Sequence, residues 1–112
     1  MADLTPEDTL GEHGRAFFDA VLEEYEPSMT ARRMLLETAR CVDELETLAA
    51  AIKERGTIVR GSQGQPVANP AYGEARATRL LFARFVEQLD IGELESVATI
   101  RARTAANARW AG

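Results

Sequence analysis

Apolar residues recur along this 112-residue chain at helical spacing over most of its length. Phe18, Val21, Leu22 and Tyr25 fall at i, i+3, i+4 and i+7, one stripe of a short amphipathic helix that begins near Gly14 and is stopped by Pro27. From Thr30 to about Arg55 the pattern becomes long and regular. Leu35, Val42 and Ala49 occupy one heptad position, Thr38, Leu45 and Ile52 the other, and Met34, Cys41 and Leu48 flank them. This spacing predicts a helix of about 39 Å with a coiled-coil-like seam. Gly56 ends it behind Lys53 and Arg55, whose cations suit the negative end of the helix dipole.

The periodicity then changes. Thr57-Ile58-Val59-Arg60 is β-branched, Gly61-Ser62-Gln63-Gly64 has turn chemistry, and Gln65-Pro66-Val67-Ala68 can return along it as a second short strand. Asn69 reads as the N-cap of a third helix with Pro70 at its first position. Thr78, Phe82, Phe85 and Leu89 repeat the heptad spacing there, widened by Leu81 and Val86, so this helix can pack antiparallel on the second. Asp90-Ile91-Gly92 breaks it, and Ser96 to Ala108 can form a further, weakly apolar helix that frays or orders against a partner.

The fold class is therefore all-α: an antiparallel helical hairpin of two long helices joined by a small β-hairpin-like connector. A short N-terminal helix and a C-terminal helical or frayed tail complete it. The chain reads as a single domain, 1–112, with a flexible acidic N-terminus (1–13), a helical core (14–92) and a basic C-terminal segment (93–112).

Composition limits the core. With 46% hydrophobic but only 6% aromatic residues, aliphatic side chains must supply the packing. A monomer of 12.3 kDa exposes about 6,100 Å² by the usual area scaling and buries about two-thirds of its unfolded surface. Self-association would enlarge so modest a core. The seam residues Leu35, Val42, Leu45, Ile52, Phe82, Phe85 and Leu89 are the surfaces expected to serve it, because two helices cannot cover that much heptad surface against each other.

The net charge of −5 excludes binding nucleic acid by bulk charge. Its distribution is uneven. Asp3, Glu7, Asp8, Glu12, Asp19, Glu23, Glu24 and Glu26 face Arg15 alone in the head, whereas the last twelve residues carry only Arg101, Arg103 and Arg109. That Ala-rich cationic segment suits phosphate contact, and it equally suits a solvated tail. Cys41 is the one cysteine, so an internal disulfide is excluded and a reducing compartment is expected. No apolar run approaches the ~18 residues of a membrane span, and Met1 to Thr9 lacks the apolar stretch of a signal peptide.

No catalytic constellation, metal set or cofactor motif emerges. His13 sits in a polar, glycine-flanked stretch without a nucleophile near it, and Cys41 lies on the edge of the helical seam, where a buried structural thiol is expected. Gly61-Ser62-Gln63-Gly64 lacks the Lys-Ser/Thr of a phosphate loop. Arg33, Arg40, Arg76 and Arg79 have Glu37, Glu44 and Glu74 within ion-pairing reach on their helices. The order Arg33, Arg40, Lys53, Asn69-Pro70, Glu74-Arg76 resembles the site elements of an all-helical chorismate mutase. Against this stand the long connector and the acids of the second helix, since such a site gathers cations around a dicarboxylate.

A second resemblance covers most of residues 14 to 91. Gly14-Arg15-Ala16-Phe17-Phe18-Asp19-Ala20-Val21 with Tyr25, and Leu35-Leu36-Glu37-Thr38-Ala39-Arg40-Cys41-Val42-Asp43-Glu44-Leu45, are two of its pieces. The others are Gly56-Thr57-Ile58-Val59 through Gly61-Ser62-Gln63-Gly64-Gln65 to Val67-Ala68-Asn69-Pro70, and Glu74-Ala75-Arg76 with the apolar run Leu80 to Leu89. Their succession resembles the small subunit of a tailed-phage terminase, in the compact helical-hairpin family of actinobacterial phages and prophages. The resemblance implies a non-enzymatic part of a genome-packaging motor in the host cytoplasm, without cofactor or small-molecule substrate. It further implies a ring-like homo-oligomer that engages double-stranded viral DNA and presents it to the large ATPase/nuclease subunit. Many such subunits carry an N-terminal helix-turn-helix. Here the acidic head holds about one helix, so DNA contact is expected at Arg101, Arg103 and Arg109 and at Arg60 on the connector turn. The competing expectation is an interaction module whose acidic head and hairpin bind only a protein partner.

Overall fold

A computed structural model describes residues 5–89 and 96–111. The order is a 3-10 turn (Pro6–Thr9), α1 (Glu12–Glu24), α2 (Met29–Arg55), β1 (Ile58–Arg60), β2 (Pro66–Ala68), α3 (Pro70–Leu89) and α4 (Val97–Ala111). The chain is mostly helical, with one two-stranded antiparallel sheet. The expected break at Asp90-Ile91-Gly92 lies outside the described residues.

Local chemistry starts and stops the helices. Ser28 caps α2 by accepting the Ala31 N–H on its side-chain oxygen at 3.2 Å. Gly56 ends α2 at φ 78°, a left-handed conformation that costs glycine little, while its N–H still reaches the Ile52 carbonyl. Gly64 at φ 80° turns the hairpin. Asn69 joins the two long helices. Its Oδ1 accepts the Ala71 N–H at 3.0 Å at the start of α3, and its Nδ2 donates to the Gly56 carbonyl at 2.9 Å at the end of α2.

At the other end of the pair, Leu89 of α3 enters one buried cluster with Leu35, Leu36 and Ala39 of α2 and Phe18 of α1. With Asn69 against Gly56 at one end and Leu89 in this cluster at the other, α3 runs back along α2. α1 lies across both, and its Phe17 ring meets Phe82 of α3 edge-on with centroids 6.0 Å apart. Thr38 is fully buried in the seam and spends its hydroxyl on the Met34 carbonyl at 2.8 Å.

One expectation changes in the acidic head. Within segment 1–13, residues 6–9 form a 3-10 turn, in which Thr5 and Asp8 satisfy each other in a capping box and Arg15 and Arg32 reach the carboxylates of Asp8 and Glu7. Helix α1 begins at Glu12, two residues before Gly14, because a carboxylate from α2 caps it. The C-terminal segment is helical from Val97, started by the Ser96 hydroxyl accepting the Thr99 N–H at 3.0 Å.

The molecule is long: 78 × 38 × 20 Å with a radius of gyration of 19.9 Å, against about 13 Å for a compact domain of this length. Its accessible surface is 8337 Å².

Candidate nucleic-acid interface

The sequence places cations in two groups, and the fold sets them apart. Arg60 ends β1, opposite Pro66 on β2 and exposed. It follows closely on Lys53 and Arg55, which are also exposed in the last turn of α2. Among the described residues no ion pair involves these three, whereas Arg15, Arg32, Arg33 and Arg40 are all paired. The connector end therefore carries three exposed cations outside any ion pair among the described residues, with the exposed Glu54 between Lys53 and Arg55. Lys53 and Arg55 look from sequence like helix-end cations. The turn at Gly56 leads from them directly into β1, which ends at Arg60.

Arg101 belongs to the opposite end. Ser96 forms a β-bridge with Tyr25, so α4 leaves the body where α1 ends and α2 begins. Arg101 lines an open depression of about 390 Å³ with Glu23, Glu24 and Tyr25. The last turn of α1 holds no basic residue, so its dipole and two glutamates make a negative field around Arg101. Arg109 lies two turns further along α4, exposed, and Arg103 is exposed between them. At 100° per residue Arg101 and Arg103 point to opposing sides of α4, so the three arginines do not form one stripe. The connector and Arg101 are separated by the length of α2, about 40 Å.

The residues expected to meet a second copy divide in the same way. Leu35 and Leu89 are covered within the chain, because Phe18 of α1 is laid over them. Val42, Leu45, Ile52, Phe82 and Phe85 are half-buried. Large apolar side chains stand exposed elsewhere: Leu80 and Leu81 on α3, Ile58 on β1, Met29 at the start of α2 and Trp110 on α4. Leu81, expected to widen the packed stripe of α3, is 42% exposed instead, and sequence periodicity does not single out the others, since a heptad count cannot know which flank α1 will cover.

Part of the mutase-like order is already engaged within the chain. Arg33 and Arg40 both bind Glu37, at 3.0 and 2.8 Å, and Asn69 is committed to its two helix ends. The depression beside Arg40, about 730 Å³, is lined by Glu12, Asp43, Glu44 and Glu46 together with His13, a setting that repels a dicarboxylate. Burial pushes the Cys41 thiol up from its ordinary value, helped by the charges of Glu44 and Glu37. Among the described residues no three His, Cys, Asp or Glu side chains gather as a metal set, and no helix is long and apolar enough to cross a membrane.

No family model, curated protein or solved structure matches this chain.

Proposed function

We propose that this protein is a self-associating helical adaptor for duplex DNA, in the role of a phage terminase small subunit in the host cytoplasm. In this reading the two long helices and their connector form an antiparallel hairpin protomer. Copies assemble in a ring, engage viral DNA and deliver it to the large ATPase/nuclease subunit, with no catalysis of their own. The observation that carries it is surplus surface: 8337 Å² is exposed where about 6,100 Å² serves an ordinary monomer of this mass. Leu80 is 65% and Ile58 58% exposed within that surplus.

The geometry favours the connector cations Lys53, Arg55 and Arg60 over Arg101 for the phosphate contact, since Glu23 and Glu24 compete for Arg101. Three cations bind DNA weakly. Repeated around a closed assembly they gain avidity.

Light scattering on the full chain at tens of micromolar, with duplex binding followed by anisotropy between low and moderate salt, tests this. Each neutralised phosphate contributes about −0.9 to the slope of log affinity against log salt. Replacing Lys53, Arg55 and Arg60 by Ala should flatten that slope more than replacing Arg101, Arg103 and Arg109. A strict monomer that retards no DNA would remove the reading.

The second reading is a protein-binding module without nucleic acid, favoured by the net charge of −5 and the carboxylates of α1. Retained binding to a protein partner with no DNA affinity selects it.

A further inference from the structure

The two edges of the small sheet are unequal. Its register pairs Ile58 with Ala68, Val59 with Val67 and Arg60 with Pro66. The flanking bonds are Asn69 N–H to the Thr57 carbonyl at 2.8 Å and Gly61 N–H to the Gln65 carbonyl at 2.7 Å. Antiparallel pairs alternate between bonded and non-bonded, so the inward-facing main-chain groups belong to residues 57, 59 and 61. The N–H and C=O groups of Ile58 and Arg60 therefore point away from β2. On the other strand the outward positions are Pro66 and Ala68, and Pro66 has no N–H to offer. β2 has a blunted edge, and β1 has a complete one.

β1 is also open. Among the described residues the sheet has two strands, so β1 has one neighbour there. An open depression of about 390 Å³ at the hairpin is lined from both strands and the turn, by Ile58, Val59, Arg60, Gly64 and Pro66. Ile58, Arg60, Pro66 and Ala68 are all exposed on one face of the hairpin.

We infer that β1 pairs with β1 of a second copy, antiparallel about a two-fold axis at Val59, joining two hairpins into one four-stranded sheet. This rests on the self-association proposed above and names one two-fold contact within it; such a contact closes a pair, and a ring is then built from pairs through a second surface. That register alone uses every outward group of the strand, exchanging two bonded pairs, whereas an axis at Ile58 or at Arg60 leaves one bonded pair within the strand. Ile58 faces Arg60 of the other copy, each pair exchanges two main-chain bonds, and the axis passes between two Val59 residues whose polar groups are already used. The side chains agree. Each Arg60 lies against an Ile58 rather than against its own copy, so like charges are not directly opposed. An isolated two-stranded hairpin is marginal in water, and pairing removes that weakness. It also sets both Arg60 side chains on one face, doubling the cations at the connector.

The register makes the test specific. Ile58→Pro deletes an N–H that no bond within the hairpin uses, and Ala68→Pro does the same on the other edge. Dilution series by sedimentation velocity on the full chain should show association weakened about tenfold or more by Ile58→Pro, with Ala68→Pro close to wild type. Helix content and melting temperature, read by circular dichroism, should stay near wild type in both. Independently of folding effects, Val59→Cys in a Cys41→Ala background should oxidise to a linked dimer, because a non-bonded antiparallel pair brings Cα atoms to about 4.5 Å. Val67→Cys in the same background, three strands from its mate across the axis, should not. An assembly that forms normally, ignores Ile58→Pro and gives no Val59→Cys cross-link overturns this contact while leaving self-association standing. A wild-type chain that stays monomeric overturns both.

Discussion

The Asp43 carboxylate on α2 caps α1 from outside that helix, accepting the Gly14 N–H at 2.7 Å on one oxygen and the Gly11 N–H at 2.7 Å on the other. Gly11 is the N-cap and has no side chain to do this itself. The close approach leaves no room at Gly14, where a Cβ would stand 2.6 Å from the Ala39 carbonyl oxygen and against the Asp43 carboxylate. One contact thus both starts α1 and sets its distance from α2.

Gly14→Ala and Asp43→Ala should each lower stability, by different routes. Asp43→Ala removes the cap from two N–H groups and should cost about 1–3 kcal/mol. In the Asp43→Ala background Gly14→Ala should still be costly, because the Ala39 carbonyl remains in the way. Chemical denaturation of the single and double variants checks this, and a Gly14→Ala that becomes harmless once Asp43 is gone would contradict it.

Asn69 needs both ends of its amide. Asn69→Asp keeps the acceptor for Ala71 but loses the donor to Gly56 and sets a carboxylate against its carbonyl, in a residue that is buried. A loss of about 1–3 kcal/mol is expected, at least as large as for a simple cap deletion. Thermal melting compared with Asn69→Ser, which can still cap α3, separates the two functions.

The 3-10 turn should respond to acid. The Arg32 guanidinium, bonded to Glu7 at 2.9 Å, holds that carboxyl below its ordinary value, and bonds from Thr5, its backbone N–H first, hold Asp8 low as well. Groups depressed in the folded state contribute stability above their unfolded pKa and lose it as pH falls through the folded one. Hydrogen exchange at the amides of this turn should therefore be slow near neutrality and accelerate, relative to intrinsic rates, below about pH 4. In Glu7→Gln, protection should be lower at neutral pH and less dependent on acid.

Cys41 is buried at 3% exposure and its thiol is pushed up, so little thiolate exists near neutral pH and little of it is reachable. Alkylation in the native protein should run at least about tenfold slower than in the unfolded chain. Native labelling at the unfolded rate would show that the α2 surface around it opens freely.

Much of the secondary structure can be read residue by residue. Asn69-Pro70, Gly56 and the β-branched run around Gly61 to Gly64 act on neighbours within a few positions, and the structure shows the cap, the stop and the turn there. The candidate interface was legible only in part. Arg60 is visible as a turn cation, but its company with Lys53 and Arg55, and the glutamates around Arg101, depend on how the elements are arranged.

By itself the sequence determined which segments are helical, where α2 stops and where α3 starts, since periodicity, the Gly56 turn and the Asn69 cap are short-range properties of the chain; the start of α1 at Glu12 was not among them. Tertiary structure alone decided that Phe18 covers Leu35 and Leu89, that Asp43 caps a helix 29 and 32 residues away, and that two cation groups stand at opposite ends of α2. Those outcomes come from contacts between distant residues, whose energies depend on which apolar flank each helix finds first and which it leaves bare.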